Sequence, residues 1–259
     1  MKRRKPLQIF IAVQKALFLR ELNMRFSKSK TGIFWTFIEP FMQVMAMVII
    51  KVFLFSSDNN SFNFETFLAL NFIAYNMFKN IITQSMGAFT ANKGLFVYKQ
   101  VKPIDTIIAR TLVEIYFTGI VICIFLALGL YLEYDLSIKN LPMVTLGFLF
   151  LLFFAISSAI LIATINTYFS SLGKIINISM TFLMFGSAIF YTIESLPKEI
   201  QTLLVLNPLT HFMEMIHGYY FFTLDDSFVN YNYIMLWSIS SLFIVLWFYR
   251  YLEERIISL

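Results

Sequence analysis

Residues 107–132 form an apolar run as long as a bilayer is thick, and its only charges, Arg110 and Glu114, lie near its start. A run of this kind settles its backbone hydrogen bonds internally as a helix and suits lipid rather than water. Comparable runs lie at 34–55, 67–90, 142–168, 175–191 and 233–249. A chain of 259 residues holds about six spans of roughly 20 residues with short connections. Composition agrees, at 59% hydrophobic and 14% charged. The reading is an all-α integral membrane protein with six transmembrane helices in one transmembrane domain, 1–259. The only cysteine, Cys123, sits inside an apolar run, so neither an intrachain disulfide nor a cysteine metal cluster is expected. His211 and His217 make no convincing metal site by themselves. The net charge of +5 lies in loops rather than on a soluble basic face, which argues against nucleic acid as a partner.

Charge also gives orientation. Lys and Arg gather at the amino terminus (Lys2, Arg3, Arg4, Lys5), in 91–110, at Lys174 and at the carboxyl terminus. The opposite connections hold mainly Asp58, Glu65, Glu133, Asp135, Glu194, Glu199, Asp225 and Asp226. Both termini are therefore expected in the cytoplasm. No apolar run follows the basic amino terminus at once, so a cleavable signal peptide is not expected.

Ahead of the first span, 7–28 reads as a helix with Leu7, Ile11, Phe18 and Leu22 on one stripe. Such a helix can lie in the membrane interface or pack on its own bundle; amphipathicity does not choose between them. Glu39-Pro40 is read one turn into the first span, where proline costs little and an acid faces the positive end of the helix dipole. In the second span Asn76, Asn80, Thr83 and Gly87 share a face beside Lys79, and that face should meet protein or a wet cavity rather than lipid. Arg110 and Glu114, four apart, can pair locally. The polar interruption at 91–106 holds a knot of Leu95, Phe96, Val97 and Tyr98 among Lys93, Lys99 and Lys102. An ordinary cytoplasmic loop accounts for the charge, but four large apolar residues in a row call for a cover, and a second protein is the natural one. Pro103 then stops any helix, with Asp105 or Thr106 able to cap the next. Gly173-Lys174 lacks the remaining glycine and the preceding strand of a phosphate-binding loop. Residues 194–224 hold two helical stretches too short to span, broken at Asn207-Pro208, where Asn207 suits an N-cap and Pro208 a first helical position.

The string GLFVYKQVKPIDTIIAR (94–110) resembles the first cytoplasmic loop of capsular polysaccharide export permeases of the KpsM type. Similarity continues in order at ALFLRELNMRF (16–26), GIFWTFIEP (32–40) and NPLTHFME (207–214). VKPIDTIIAR is the part most specific to capsule export, whereas the Gly–Trp–Glu-Pro and Asn-Pro-Leu elements are shared with O-antigen and teichoic-acid permeases. Lys93 departs from the uncharged residue expected there. The resemblance implies a homodimer bound to two copies of a separate ABC ATPase, which alone carries ATP and magnesium; this chain would hold no cofactor and do no covalent chemistry. It makes 7–28 an interfacial helix and 194–224 an outer re-entrant pair. It assigns ATPase coupling to Lys93, Gly94, Leu95, Phe96, Val97 and Tyr98, together with Arg20 and Arg25. Glu39, Pro40, Asn207 and Pro208 would be structural, and Lys79, Asn76, Asn80 and Trp35 candidates for the substrate path. The implied cargo is a lipid-linked capsular polysaccharide leaving through the bacterial inner membrane, handed to periplasmic and outer-membrane export proteins. Alternatives are a related exporter of O-antigen, teichoic acid or small lipophilic compounds, an ion-coupled secondary transporter, and a membrane-embedded transferase. The last two lack support, because inverted repeats, midplane acids and a clustered acid or histidine site are all missing from the sequence.

Overall fold

The computed structural model describes residues 5–28, 30–54, 62–169 and 171–258. The predicted loop at Asp58, Asn59 and Asn60, the end of the first span at Phe55, and Lys2, Arg3 and Arg4 lie outside them. Among the described residues the regular elements are helices: α1 (Pro6–Lys28), α2 (Lys30–Leu54), α3 (Phe64–Ser85), α4 (Ala88–Asn92), α5 (Pro103–Tyr131), α6 (Leu141–Tyr168), α7 (Leu172–Phe185), α8 (Lys198–Leu204), α9 (Pro208–Tyr220), α10 (Tyr231–Met235) and α11 (Ser241–Ser258). A π-helical segment, Leu236–Ser240, joins the last two into one continuous helix. Among the described residues three helices are long and apolar enough to cross a membrane: Pro103–Tyr131, Leu141–Tyr168 and Tyr231–Ile257.

The core is built around α3, which packs against α2, α5, α6, α7 and α9. Its buried residues run almost without a break from Phe67 to Phe78, so this stretch is packed nearly all round, with a few polar groups among the apolar ones. The Tyr75 hydroxyl donates to the Met180 carbonyl of α7, and Asn71 Nδ2 donates to Ile189 O (3.3 Å). Along α6, Gly147, Leu151, Ala155, Ala159 and Ala163 recur every four residues and are all buried. Small residues on that edge let α6 approach its neighbours closely. At Gly147 an added Cβ would stand 3.0 Å from Ile216 of α9, so this crossing depends on glycine.

Several boundaries differ from expectation. The second span was read to residue 90, but α3 stops at Ser85, and a turn at Met86-Gly87 leads into α4. Lys79 is thereby six residues, about 9 Å, from the helix end rather than midway along a span. The fifth span was read as 175–191, yet α7 ends at Phe185 and spans about 21 Å, short of a hydrocarbon core of about 30 Å. Buried residues Ser187, Ala188 and Ile189 follow it in a turn. Pro40 is not near a helix start: α2 begins at Lys30, so Glu39 and Pro40 lie about three turns in. There the proline removes one intrahelical bond, and the freed carbonyl is a reason for α2 to bend at this level.

The break at Asn207-Pro208 falls where it was expected. Asn207 Oδ1 accepts from Leu209 N (3.0 Å), capping α9, while its Nδ2 donates to Gly186 O (2.7 Å) and Ser187 Oγ (2.9 Å). One side chain thus starts α9 and ties it to the end of α7.

Candidate functional site: the α1–loop–α5 face and a polar seam

Two regions emerge from the sequence-predicted residues. The first is the 91–106 segment with the helices that flank it. Lys93–Leu95 is a 3-10 turn after α4, and the chain then extends through Val101 and Lys102 to Pro103. The helix opens one turn earlier than a cap at Asp105 or Thr106 would allow. Instead Asp105, in the first turn, reaches back to accept from Lys102 N (2.8 Å). Tyr249 Oη of α11 accepts from Ile104 N (3.2 Å), pinning this start to the last helix.

The apolar knot divides. Phe96 is buried at 7% exposure and joins the protein's own core, so it needs no partner to cover it. Val97 and Tyr98 point out, at 83% and 65% exposed, and Leu95 is half-buried beside the exposed Lys93 and Gly94. A groove of about 640 Å³ runs between α1 and this segment, lined by Ile9, Val13, Leu17 and Arg20 on one side and Leu95, Gln100 and Val101 on the other.

α1 turns a partly polar face inward, although Lys15 and Asn23 remain exposed. Its buried residues are Gln14, Leu17 and Glu21, whereas Leu7 and Ile11 of the expected apolar stripe are exposed. The reason is a set of partners on α4 and α5. Gln14 Nε2 donates to Asp105 Oδ1 (3.1 Å), Glu21 Oε1 lies 3.3 Å from Arg110 Nε, and Arg25 pairs with Glu114. Arg20 Nη1 donates to Asn92 Oδ1 (2.7 Å) on α4. The local Arg110–Glu114 pair read from sequence is therefore replaced by two cross-helix pairs. Arg110 also donates to the Gln84 carbonyl, at the end of α3. Arg25, expected at a docking surface, turns inward to Glu114 and stacks 5.3 Å over the Phe117 ring. A desolvated guanidinium gains from both.

The second region is a polar seam. Lys79 Nζ donates to Glu39 Oε1 (2.8 Å), Gln43 Nε2 lies 3.4 Å from the same oxygen, and Asn76 Nδ2 donates to Gln43 Oε1 (2.7 Å). Glu39 is thus a partner for a lysine, not an acid facing a helix dipole. Next to it lies a cavity of about 20 Å³, lined by Pro40, Asn76, Asn80, Glu114 and Thr118. That is room for one water, and Asn76 Oδ1, buried and without a protein partner, faces the need for one. Asn76 and Asn80 line this seam, whereas Trp35 stands exposed toward the start of α2.

Sequence reasoning passed over Gln14, Glu21, Gln43 and Asn92. A signal existed: Gln14, Glu21 and Arg25 are spaced by seven and four, which puts three polar groups on one helix face. The sequence presents His217 only as a candidate metal ligand; the structure places it in a buried group, where His217 Nδ1 is 3.1 Å from Asn71 Oδ1 and His217 Nε2 is 3.2 Å from Glu214 Oε1.

Residues 13–221 match the family model described as ABC-2 type transporter. The chain belongs to the ABC-2 type transporter family. It is 31% identical to the polysialic acid transport protein KpsM of Escherichia coli over 94% of this chain and 95% of that one. It is 26% identical to the capsule polysaccharide export inner-membrane protein CtrC of Neisseria meningitidis serogroup B, over 87% of each chain. The capsule polysaccharide export inner-membrane protein BexB of Haemophilus influenzae is also 26% identical, over 90% of this chain and 87% of that one. This ABC-2 protein is accordingly an inner-membrane permease, the transmembrane part of an exporter whose ATPase is a different polypeptide.

Proposed function

We propose that this permease moves a lipid-linked capsular polysaccharide out through the inner membrane, as a homodimer driven by two copies of an ABC ATPase that carries the ATP and magnesium. The observation that carries the substrate class is similarity along nearly the whole chain to transporters named for capsule polysaccharides, polysialic acid among them. The geometry supports the docking place: Val97 and Tyr98 are exposed beside the groove between α1 and the 93–102 segment. Arg20 closes that groove from inside through Asn92, while Lys93 and Gly94 stand free at its rim. ATP-driven closure of the ATPase dimer pushes on this segment and tilts the helices attached to it. The polymer passes along the seam of Lys79, Asn76 and Asn80, and periplasmic and outer-membrane export proteins receive it. Deleting the gene tests the substrate class. Polysaccharide is expected to accumulate inside cells while its synthesis continues; a deletion strain with ordinary surface capsule points instead to a small-lipophile exporter of the same architecture.

In the membrane α2, α3, α5, α6, the α10–α11 helix and α7, extended by the buried turn through Ile189, provide six spans, with α8 and α9 forming a re-entrant pair on the outer side. Both termini and 91–106 are cytoplasmic, supported by the Lys and Arg bias. In a Cys123→Ser background, a Lys99→Cys variant is expected to resist an impermeant thiol reagent added outside intact spheroplasts, and an Asp225→Cys variant to react. Labelling of position 99 from outside overturns this topology.

A further inference from the structure

α1 and α5 each carry one acid and one base four residues apart, in opposite order. Glu21 and Arg25 lie on α1, and Arg110 and Glu114 on α5. The two helices run parallel here, since Gln14, Glu21 and Arg25 meet Asp105, Arg110 and Glu114 in ascending order. In this register each charge meets its opposite. Sliding α1 by one turn, about 5.4 Å, in either direction sets like against like: Glu21 against Glu114, or Arg25 against Arg110. These side chains are largely withdrawn from solvent, Glu114 at 2% and Glu21 at 9% exposure, so water screens the mismatch weakly.

We propose that Glu21, Arg25, Arg110 and Glu114 are positioning residues that lock the register of α1 on α5, so that the two helices move as one body during transport. What sets that body in motion rests on the docking reading above; the lock itself does not. A one-turn ratchet between helices is a common way for a displacement to be absorbed. The charge order removes that option here, and a push near the groove is passed undiminished to the part of α5 beside the polar seam.

The test uses paired spin labels at the exposed Leu19 and Leu112, replaced by Cys in a Cys123→Ser permease with its ATPase in lipid vesicles. The distance between them is expected to stay the same in nucleotide-free and vanadate-trapped complexes. A change in distance matching displacement of α1 along α5 by one helical turn, about 5.4 Å, between the two states overturns the proposal. Exchanging charges on one helix (Glu21→Arg with Arg25→Glu) is expected to at least double the width of the distance distribution or to displace it. Adding Arg110→Glu with Glu114→Arg is expected to restore it. An unchanged distribution in the first variant, or no restoration in the second, overturns the lock. Glu21→Gln, which keeps shape and removes one charge, is expected to broaden the distribution to a smaller degree and guards against a folding failure in the exchanged variants; no broadening there also counts against the lock. If Val97→Ser with Tyr98→Ser leaves export intact while the labels behave as expected, only the docking place is wrong.

Discussion

Changing Val97 and Tyr98 together to Ser is expected to weaken ATPase binding by about 10²- to 10⁴-fold and to stop export, because two large side chains lose roughly 1.5–3 kcal/mol of burial each. Both are exposed in the protomer, so the change should leave its fold intact. Phe96, their neighbour in sequence, behaves oppositely. It lies in the permease's own core, and Phe96→Ser is expected to cost about 3–5 kcal/mol of permease stability. Thermal unfolding of the purified permease and pull-down of the ATPase separate the two effects. The exposed pair should change binding with unchanged melting, and Phe96→Ser should lower melting before any effect on binding is read. Full ATPase capture and full export by the Val97→Ser, Tyr98→Ser protein would remove the 93–102 segment from the docking site.

That contrast shows where the sequence was legible. Apolar runs of bilayer length placed α5 and α6 to within a few residues, because lipid-facing helices announce themselves by composition alone. The Asn207-Pro208 break was legible for a local reason too: a capping side chain and a residue lacking N–H act within one turn. What composition could not give was which side of a helix meets protein. The apolar stripe of α1 looked like its packing face, yet α5 supplies Asp105, Arg110 and Glu114, and these draw the polar face inward. The partners stand roughly ninety positions away, so no window along the chain contains both halves of the interaction.

The same limit explains the misread charge pairs. Arg110 and Glu114 satisfy the spacing for a local bridge, worth only about 0.2–0.5 kcal/mol on an exposed helix. A desolvated pairing across helices is electrostatically stronger, and it also relieves Glu21 and Arg25. Local spacing was correct as geometry and wrong as energetics. For the apolar knot, alternation within four residues decided the outcome: a 3-10 turn sends Phe96 into the core and leaves its two successors outside. For Glu39-Pro40, reading the helix start from hydropathy missed the turn of α2 before residue 34, which is less apolar than the span it leads into.

Lys79→Met is expected to reduce export by at least about tenfold, as would follow from losing roughly 1.4 kcal/mol of attraction to the phosphate or acidic sugars of the proposed lipid-linked substrate. Lys79→Arg should keep export. The ammonium is already paired with Glu39, which at 47% exposed leaves the pair open on one side of the protomer. Lipid satisfies neither charge of such a pair, so even about 9 Å from the end of α3 its open side suits a wet path or a second subunit. Two roles then make opposite predictions for a second change. If Lys79 only neutralises Glu39, the Lys79→Met, Glu39→Gln protein regains export, because no carboxylate is left unpaired. If the cation acts on the polymer, Glu39→Gln alone exports at least as well as the parent and the double variant stays defective. Surface polysaccharide, measured at matched permease level and ATPase assembly, is expected to follow the second pattern. Recovery in the double variant would make the pair a structural clasp between α2 and α3 and take Lys79 out of the path.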